Sequence, residues 1–154
     1  MSDSKVGPRT SGVLDPSERL RAHGLHVTAQ RIAVLRAVER HPHRPADEIA
    51  RAVRSELGTI SLQAVYDALA VLTQNGLVRR IQPAGFPALF DPRAGEHHHS
   101  VCRGCGAVTD LDGPVSAPEC LAATAAAEFE VDETELLLWG RCHTCRSRGD
   151  ALRT

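Results

Sequence analysis

Two Cys-x-x-Cys pairs, Cys102 with Cys105 and Cys142 with Cys145, stand 36 residues apart in a chain of 154. Each pair can present two thiolates to one metal from a tight knuckle, and two knuckles complete a tetrahedral four-cysteine site. Soft thiolates with no open coordination position select Zn2+ in a structural role, one ion per chain. Two unrelated pairs, or a thiol-redox couple, are the alternatives, and the spacing alone does not exclude them. Structural zinc is favoured because the pairs bracket one small domain. Cys120 is left over, as a small buried apolar residue or a reactive thiol.

Composition bounds the rest. No apolar run is long enough for a membrane span, which needs roughly 18 to 20 residues. The opening MSDSKVGPRTSG lacks the apolar core of an export signal, so the expected location is cytoplasmic. In that compartment paired cysteines more often hold metal than form disulfides. Net charge is −1, but it is divided unevenly. Residues 1–84 carry 12 Lys+Arg against 8 Asp+Glu, and residues 85–154 carry 6 against 11. A basic front and an acidic back predict two domains, of which the first meets phosphate.

Four helices are predicted before residue 77. The first opens with Asp15 as N-cap and Pro16 in its first turn, and stops at Gly24. The second is capped by Thr28, with Ile32, Leu35 and Val38 as its apolar stripe. The third begins around Pro45, has Asp47 and Glu48 near its positive end, and places Ile49, Ala52, Val53 and Leu57 at helical spacing. The fourth runs from its cap Ser61 to Gly76. Leu62, Val65, Leu69 and Leu72 share one face, opposite Gln63, Tyr66, Asp67, Thr73 and Gln74.

LVRRIQPAGFPALFD then reads as a hairpin about Pro83-Ala84-Gly85. Short helices followed by a small hairpin form a winged helix-turn-helix, whose last helix enters the major groove. The residues expected at DNA are Ser61, Gln63 and Tyr66 on that helix, with Arg79 and Arg80 on the wing.

The predicted organisation is a tail (1–14), a DNA-binding domain (15–90), a hinge (91–96), a dimerisation and metal-binding domain (97–148) and a second tail (149–154). The fold class is α+β, the second domain being a small α/β module with the four-cysteine zinc site. Its predicted elements are strands in HHHSVC, AVTDLD and ELLLWGRC, and an Ala-rich helix from about Pro118 to Phe129.

On a strand, His97 and His99 face the same way and His98 the other. Asp91 at the hinge and Asp110 on the next strand can join them. That mixed imidazole and carboxylate set suits Fe(II), Mn(II) or a regulatory zinc better than a structural one. The expectation is two metal sites sharing one strand.

AVYDALAVLTQNGLV, then HHHSVCRGCG, then WGRCHTC, from about Asp15 to Cys145, resembles the ferric uptake regulator superfamily, and within it the FurA/CatR-like peroxide regulators. The resemblance implies a homodimeric repressor of an inverted-repeat DNA operator. It puts the structural zinc on Cys102, Cys105, Cys142 and Cys145. It puts a regulatory Fe2+ or Mn2+, one per chain, on His43, Asp91, His97, His99 and Asp110. His43 enters only through the resemblance.

An Asp at 110 goes with peroxide sensing in the family. Such sensing implies oxidation of His43 or His97, or alternatively of the zinc cysteines, with release of DNA. A catalase-peroxidase gene and the regulator's own gene are the implied targets. A further metal site found in some members is only partly matched, by Glu96 and His98. The family's recognition helix often carries Arg where this chain has Asp67, which implies that Asp67 contacts protein or a cytosine amino group.

Other readings are an iron- or zinc-sufficiency repressor without peroxide chemistry, a zinc-stabilised interaction module, and a zinc enzyme. The enzyme reading lacks the open metal position and the HxE…PCxxC arrangement of a deaminase, so no catalytic residue is assigned.

Overall fold

The computed structural model describes residues 14–92, 97–112, 124, 127–131 and 134–150. Four helices come first: α1 (Pro16–Ala22), α2 (Ala29–Arg40), α3 (Ala46–Leu57) and α4 (Leu62–Gln74). Three start on side-chain caps. Asp15 accepts from Ser17 N–H at 3.1 Å, Thr28 from Arg31 N–H at 3.2 Å and Ser61 from Ala64 N–H at 3.1 Å. Each cap satisfies an amide that the first helical turn leaves without a partner. Pro45 stands just before α3 and offers no side-chain cap, so Asp47 and Glu48 in the first turn supply the favourable charge there.

Helices α2, α3 and α4 enclose one apolar core whose largest fully buried members include Leu35, Ile49, Val53, Leu69 and Leu72. Leu20 of α1 is also buried in it. Leu57 and Leu62, expected on the buried stripes, are 37% and 38% exposed. Eight residues past Ile49, Leu57 is turned about 80° around the helix from the packed face. Leu62 has the right phase but lies in the first turn of α4, beyond the core, where Ile60 is buried instead.

Strands β2 (Arg79–Ile81) and β3 (Leu89–Asp91) pair antiparallel as the wing. A third strand, β1 (Arg44–Pro45), joins the far side of β3 with Arg44 opposite Phe90 and Pro45 opposite Leu89. At two residues, β1 is too short for a period-2 pattern, and the sequence reading had no strand there. It matters because it docks the segment before α3 beside the end of β3.

The second sheet has the order β5-β4-β6, from β4 (His98–Cys102), β5 (Val108–Leu111) and β6 (Leu137–Gly140). β4 pairs antiparallel with β5 and parallel with β6. A final helix, α5 (His143–Asp150), follows β6, where a tail from residue 149 was expected. Its sequence, HTCRSRGD, has no apolar stripe from which a helix could be read. The Ala-rich stretch from Pro118 to Phe129 lies mostly outside the described residues, as do Glu96 and Cys120. No helix among the described residues is long and apolar enough to cross a membrane.

Besides the contact of Asp91 with His99, wing and second sheet approach closely at Gly106. Gly106 has φ +73°, and a Cβ there would lie 2.6 Å from Cδ1 of Phe86. The wing turn holds Phe86 in place, its N–H donating to Pro83 O at 3.1 Å and its carbonyl accepting from Gln82 Nε2 at 3.0 Å.

The packing assigns unequal weights to two leucines of similar sequence context. Leu72→Ala is expected to cost about 2–5 kcal/mol through lost burial and a residual cavity. Leu57→Ala should stay within about 0.5 kcal/mol, as for an ordinary surface change. Urea unfolding of both variants, with the midpoint and slope compared to the parent, distinguishes them.

Candidate metal centres

The four sulfurs of Cys102, Cys105, Cys142 and Cys145 all lie within 4.8 Å of one another. Backbone geometry assembles them from two knuckles. Cys102 closes β4, and Gly106 N–H donates back to its carbonyl at 2.9 Å. Cys142 N–H donates to Cys102 Sγ at 3.3 Å, joining the second knuckle to the first. Gly104 lets the two knuckles close tightly, since a Cβ there would lie 3.0 Å from Cys145 Sγ and would push that ligand by a few tenths of an ångström.

Amide donors, Cys142 N–H foremost, lower the Cys102 thiol to about 6, whereas hydrogen bonding among the neighbouring thiols, led by Cys105, pushes Cys145 up to about 12. Without a cation, then, the cluster resists full ionisation. A divalent ion removes that resistance. Cys105 Sγ and Cys142 Sγ are 3.8 Å apart. That matches the edge, roughly 3.8 Å, of a tetrahedron with Zn–S bonds of about 2.3 Å. The donor set and its spacing fit structural zinc.

The second centre gathers the other predicted ligands. His43, Asp91, His99 and Asp110 each offer an atom within 4.8 Å of the other three. His97 joins through its Nε2, 2.7 Å from Asp91 Oδ2 and 3.6 Å from Asp110 Oδ1. Asp91 Oδ2 also lies 3.1 Å from His43 Nε2 and 3.2 Å from His99 Nε2. Asp110 Oδ1 is 2.8 Å from His43 Nε2 and 3.4 Å from His99 Nε2.

Three imidazole nitrogens around one carboxylate oxygen exceed what its two lone pairs accept comfortably as hydrogen bonds. All three Nε2 atoms and both carboxylates converge on a common region, as ligands do around a cation. The nitrogen and oxygen donors suit Fe(II) or Mn(II).

Different elements deliver these side chains. Asp91 ends β3, whose three residues are all buried. His43 immediately precedes β1, and its N–H donates to Phe90 O at 2.9 Å, which sets it beside Asp91. It does so at φ +57°, a left-handed conformation uncommon for a residue with a Cβ and often found at functional sites. Alternation along β4 buries His99, with His97 just before the strand, and leaves His98 partly exposed. Asp110 on β5 sits opposite His99 in register.

A hydrogen bond to Asp91 raises the His43 imidazole above its usual range, while burial lowers that of His99. Glu135 was missed by sequence reasoning. Its Oε1 lies 3.5 Å from His99 Nδ1, the ring nitrogen turned away from the ligand cluster. The parallel β4–β6 pairing brings it there, His99 N–H donating to Leu136 O at 3.1 Å. An acid two residues before an apolar strand was the available signal, but the sequence does not reveal which strand pairs with which.

Of the residues expected at DNA, Arg79 pairs across the wing with the predicted ligand Asp91, and the others lie on α4, at its cap or further along β2. Gln63 and Tyr66 are on the exposed face of α4, and Ser61 is exposed at its cap. Arg79 and Arg80 are on β2, where Arg80 donates to Gln82 Oε1 at 2.6 Å. Asp67 accepts from Gln63 Nε2 at 2.8 Å, so its contact within the chain is a residue of its own helix.

Because a methyl group in the first knuckle would press on Cys145 Sγ, Gly104→Ala is expected to weaken zinc retention by roughly 10- to 100-fold, as when a group supporting a metal ligand is disturbed. Competition against a chromogenic chelator measures it.

Comparison with known proteins identifies the family. The ferric uptake regulator family matches residues 22–138. The transcriptional regulator FurA of Mycobacterium tuberculosis (strain ATCC 25618 / H37Rv) is 47% identical over 136 residues, covering 88% of this chain and 92% of that protein. Among solved structures, the Vibrio cholerae ferric uptake regulator is similar with a TM-score of 0.66 at 28% identity, over 83% of this chain and 100% of that one. The Campylobacter jejuni peroxide stress regulator is similar with a TM-score of 0.64 at 28% identity, over 86% and 100%. With its helical N-terminal unit, its β-rich C-terminal unit and its four-cysteine cluster, this chain belongs to the ferric uptake regulator family and is a transcriptional regulator rather than an enzyme.

Proposed function

We propose that the protein is a metal-dependent, peroxide-responsive repressor that binds an inverted-repeat operator as a homodimer and leaves it on oxidation. One observation carries this reading: the buried Asp91 carboxylate is shared by His43, from the helical half, and by His97 and His99, from the second half. A cation held by these residues and Asp110 fixes the angle between the halves. In a dimer that angle sets the separation of two recognition helices, which read half-sites about 34–36 Å apart or a multiple of it. Metal affinity and DNA affinity are then reciprocally coupled.

Fe(II), when bound, would activate peroxide, so that one of its oxygens adds to a ligand imidazole, which is the group oxidised, and the other leaves as water. The residues of the chain do the rest. His43 and His97 each contact Asp91 Oδ2 through Nε2, and either imidazole is a target for the oxygen. An oxidised imidazole is a poorer ligand, so the link between the halves loosens. The similarity to the Campylobacter peroxide stress regulator supports peroxide sensing, and disulfide formation at the zinc thiolates is the alternative sensing branch. A catalase-peroxidase gene and the protein's own gene are the proposed targets.

The test is binding to the protein's own upstream DNA with Fe(II) and with Mn(II), before and after micromolar peroxide, followed by mass spectrometry. Binding lost only with Fe(II), with one oxygen gained on His43 or His97, is the expected result. Loss with both metals and disulfides among Cys102, Cys105, Cys142 and Cys145 would move the sensor to the thiols. Indifference to peroxide would leave a metal-sufficiency repressor. His99→Ala should abolish metal-dependent DNA binding while the four-thiolate site keeps its zinc.

Metal affinity should also depend on pH. His43, raised by Asp91, keeps its proton to higher pH than an ordinary imidazole, and ligation must displace that proton. Mn(II) affinity is therefore expected to fall as pH falls from roughly 7.5 to 6, by at most about tenfold per pH unit for one displaced proton. Calorimetry across that range reads it directly, and a flat profile would remove His43 from the ligand set.

A further inference from the structure

Helix α4 carries no Lys or Arg anywhere between Leu62 and Gln74. Its exposed face presents Gln63, Tyr66, Asp67, Ala70 and Gln74, so its one charge is negative. Among the described residues Asp67 has no ion-pair partner, and its hydrogen bond there comes from Gln63 one turn earlier, at 2.8 Å. Such a helix brings no side-chain cation to phosphate. Electrostatic attraction to DNA must come from flanking cations such as the exposed Arg80 on the wing. A carboxylate carried into the groove is repelled there unless it accepts a hydrogen bond from a base.

The major groove offers few such donors. Guanine shows O6 and N7, thymine shows O4, and all of these are acceptors. Adenine shows an amino group with the acceptor N7 beside it. Cytosine shows the N4 amino group without a neighbouring acceptor, and this is the established partner type for Asp and Glu. Gln63 adds the orienting element. Its amide engages Asp67 Oδ1 and leaves Oδ2 to accept from outside the helix.

We infer that Asp67, positioned by Gln63, is a specificity-determining residue that selects cytosine at one position in each half-site. This inference rests on the DNA-binding reading above and extends it to a particular base.

The experiment uses the full-length, Mn(II)-loaded protein against duplexes built on its own upstream operator, with all four base pairs placed in turn at each half-site position. Salt dependence is measured for each variant, and circular dichroism checks the fold. The parent is expected to favour cytosine at one position per half-site by roughly 5- to 100-fold, the usual effect of a mismatched pair. Asp67→Ala should flatten that position alone and leave the salt slope unchanged. Asp67→Asn should move the preference towards adenine, because an amide pairs with its N6 and N7. Gln63→Ala should reduce the cytosine preference without abolishing it.

An Asp67→Ala protein that keeps every base preference, yet binds all sequences more tightly with a steeper salt slope, would overturn the inference. It would make Asp67 a repulsive charge near the backbone. A parent that binds no duplex with either metal would overturn the DNA-binding reading itself, and this inference with it. The two failures are distinguishable because the first requires a parent that binds selectively.

Discussion

One carboxylate, Asp91, organises the relation between the two halves of the molecule. It is fully buried, and a buried charge persists only when it is paired and hydrogen-bonded. Three imidazoles surround it, one from the segment before β1 and two from the start of the second sheet. Every nearby irregularity serves that arrangement. β1 is two residues long, yet it fixes His43 against β3, and His43 takes a left-handed backbone conformation to turn its ring inward. Remove the charge balance at Asp91 and the halves lose that polar connection, while Phe86 still lies close against Gly106.

Much of this architecture was legible in the sequence, for specific physical reasons. Asp15, Thr28 and Ser61 announce three helix starts because their side-chain oxygens can accept from amides the first turn leaves without a backbone partner. Both cysteine knuckles were legible because metal-ligand spacing is local. The His97/His99 pair was legible because strand periodicity puts alternate residues on one face. Asp110 followed from the hairpin that brings β5 back along β4.

What could not be read is what depends on non-local pairing. His43 lies 48 residues from Asp91, and no periodicity links them. Only the resemblance to a family brought it in. Glu135 depends on the parallel β4–β6 pairing, and β1 on a contact two residues long. The exposure of Leu57 and Leu62 has other causes: Leu57 is out of phase with the packed face of α3, and Leu62 is in phase but sits in the first turn of α4, beyond the core.

The two metal centres are neighbours on β4, but they draw on opposite faces of it. His97, His99 and Val101 point to one side, and His98, Ser100 and Cys102 to the other. The chemistry divides along the same line. Four sulfurs at one end of the strand close a site within the second half, with no ligand from the helical half. The imidazole and carboxylate centre spans both halves, and its donors are harder and exchange metal more readily than thiolates do. A four-thiolate site and an imidazole and carboxylate site can therefore draw on one strand and the residue before it without competing for ligands. On the proposed mechanism the first would hold β4 and the second knuckle together, while loss of the second cation would free the helical half, which carries the proposed DNA-reading helix.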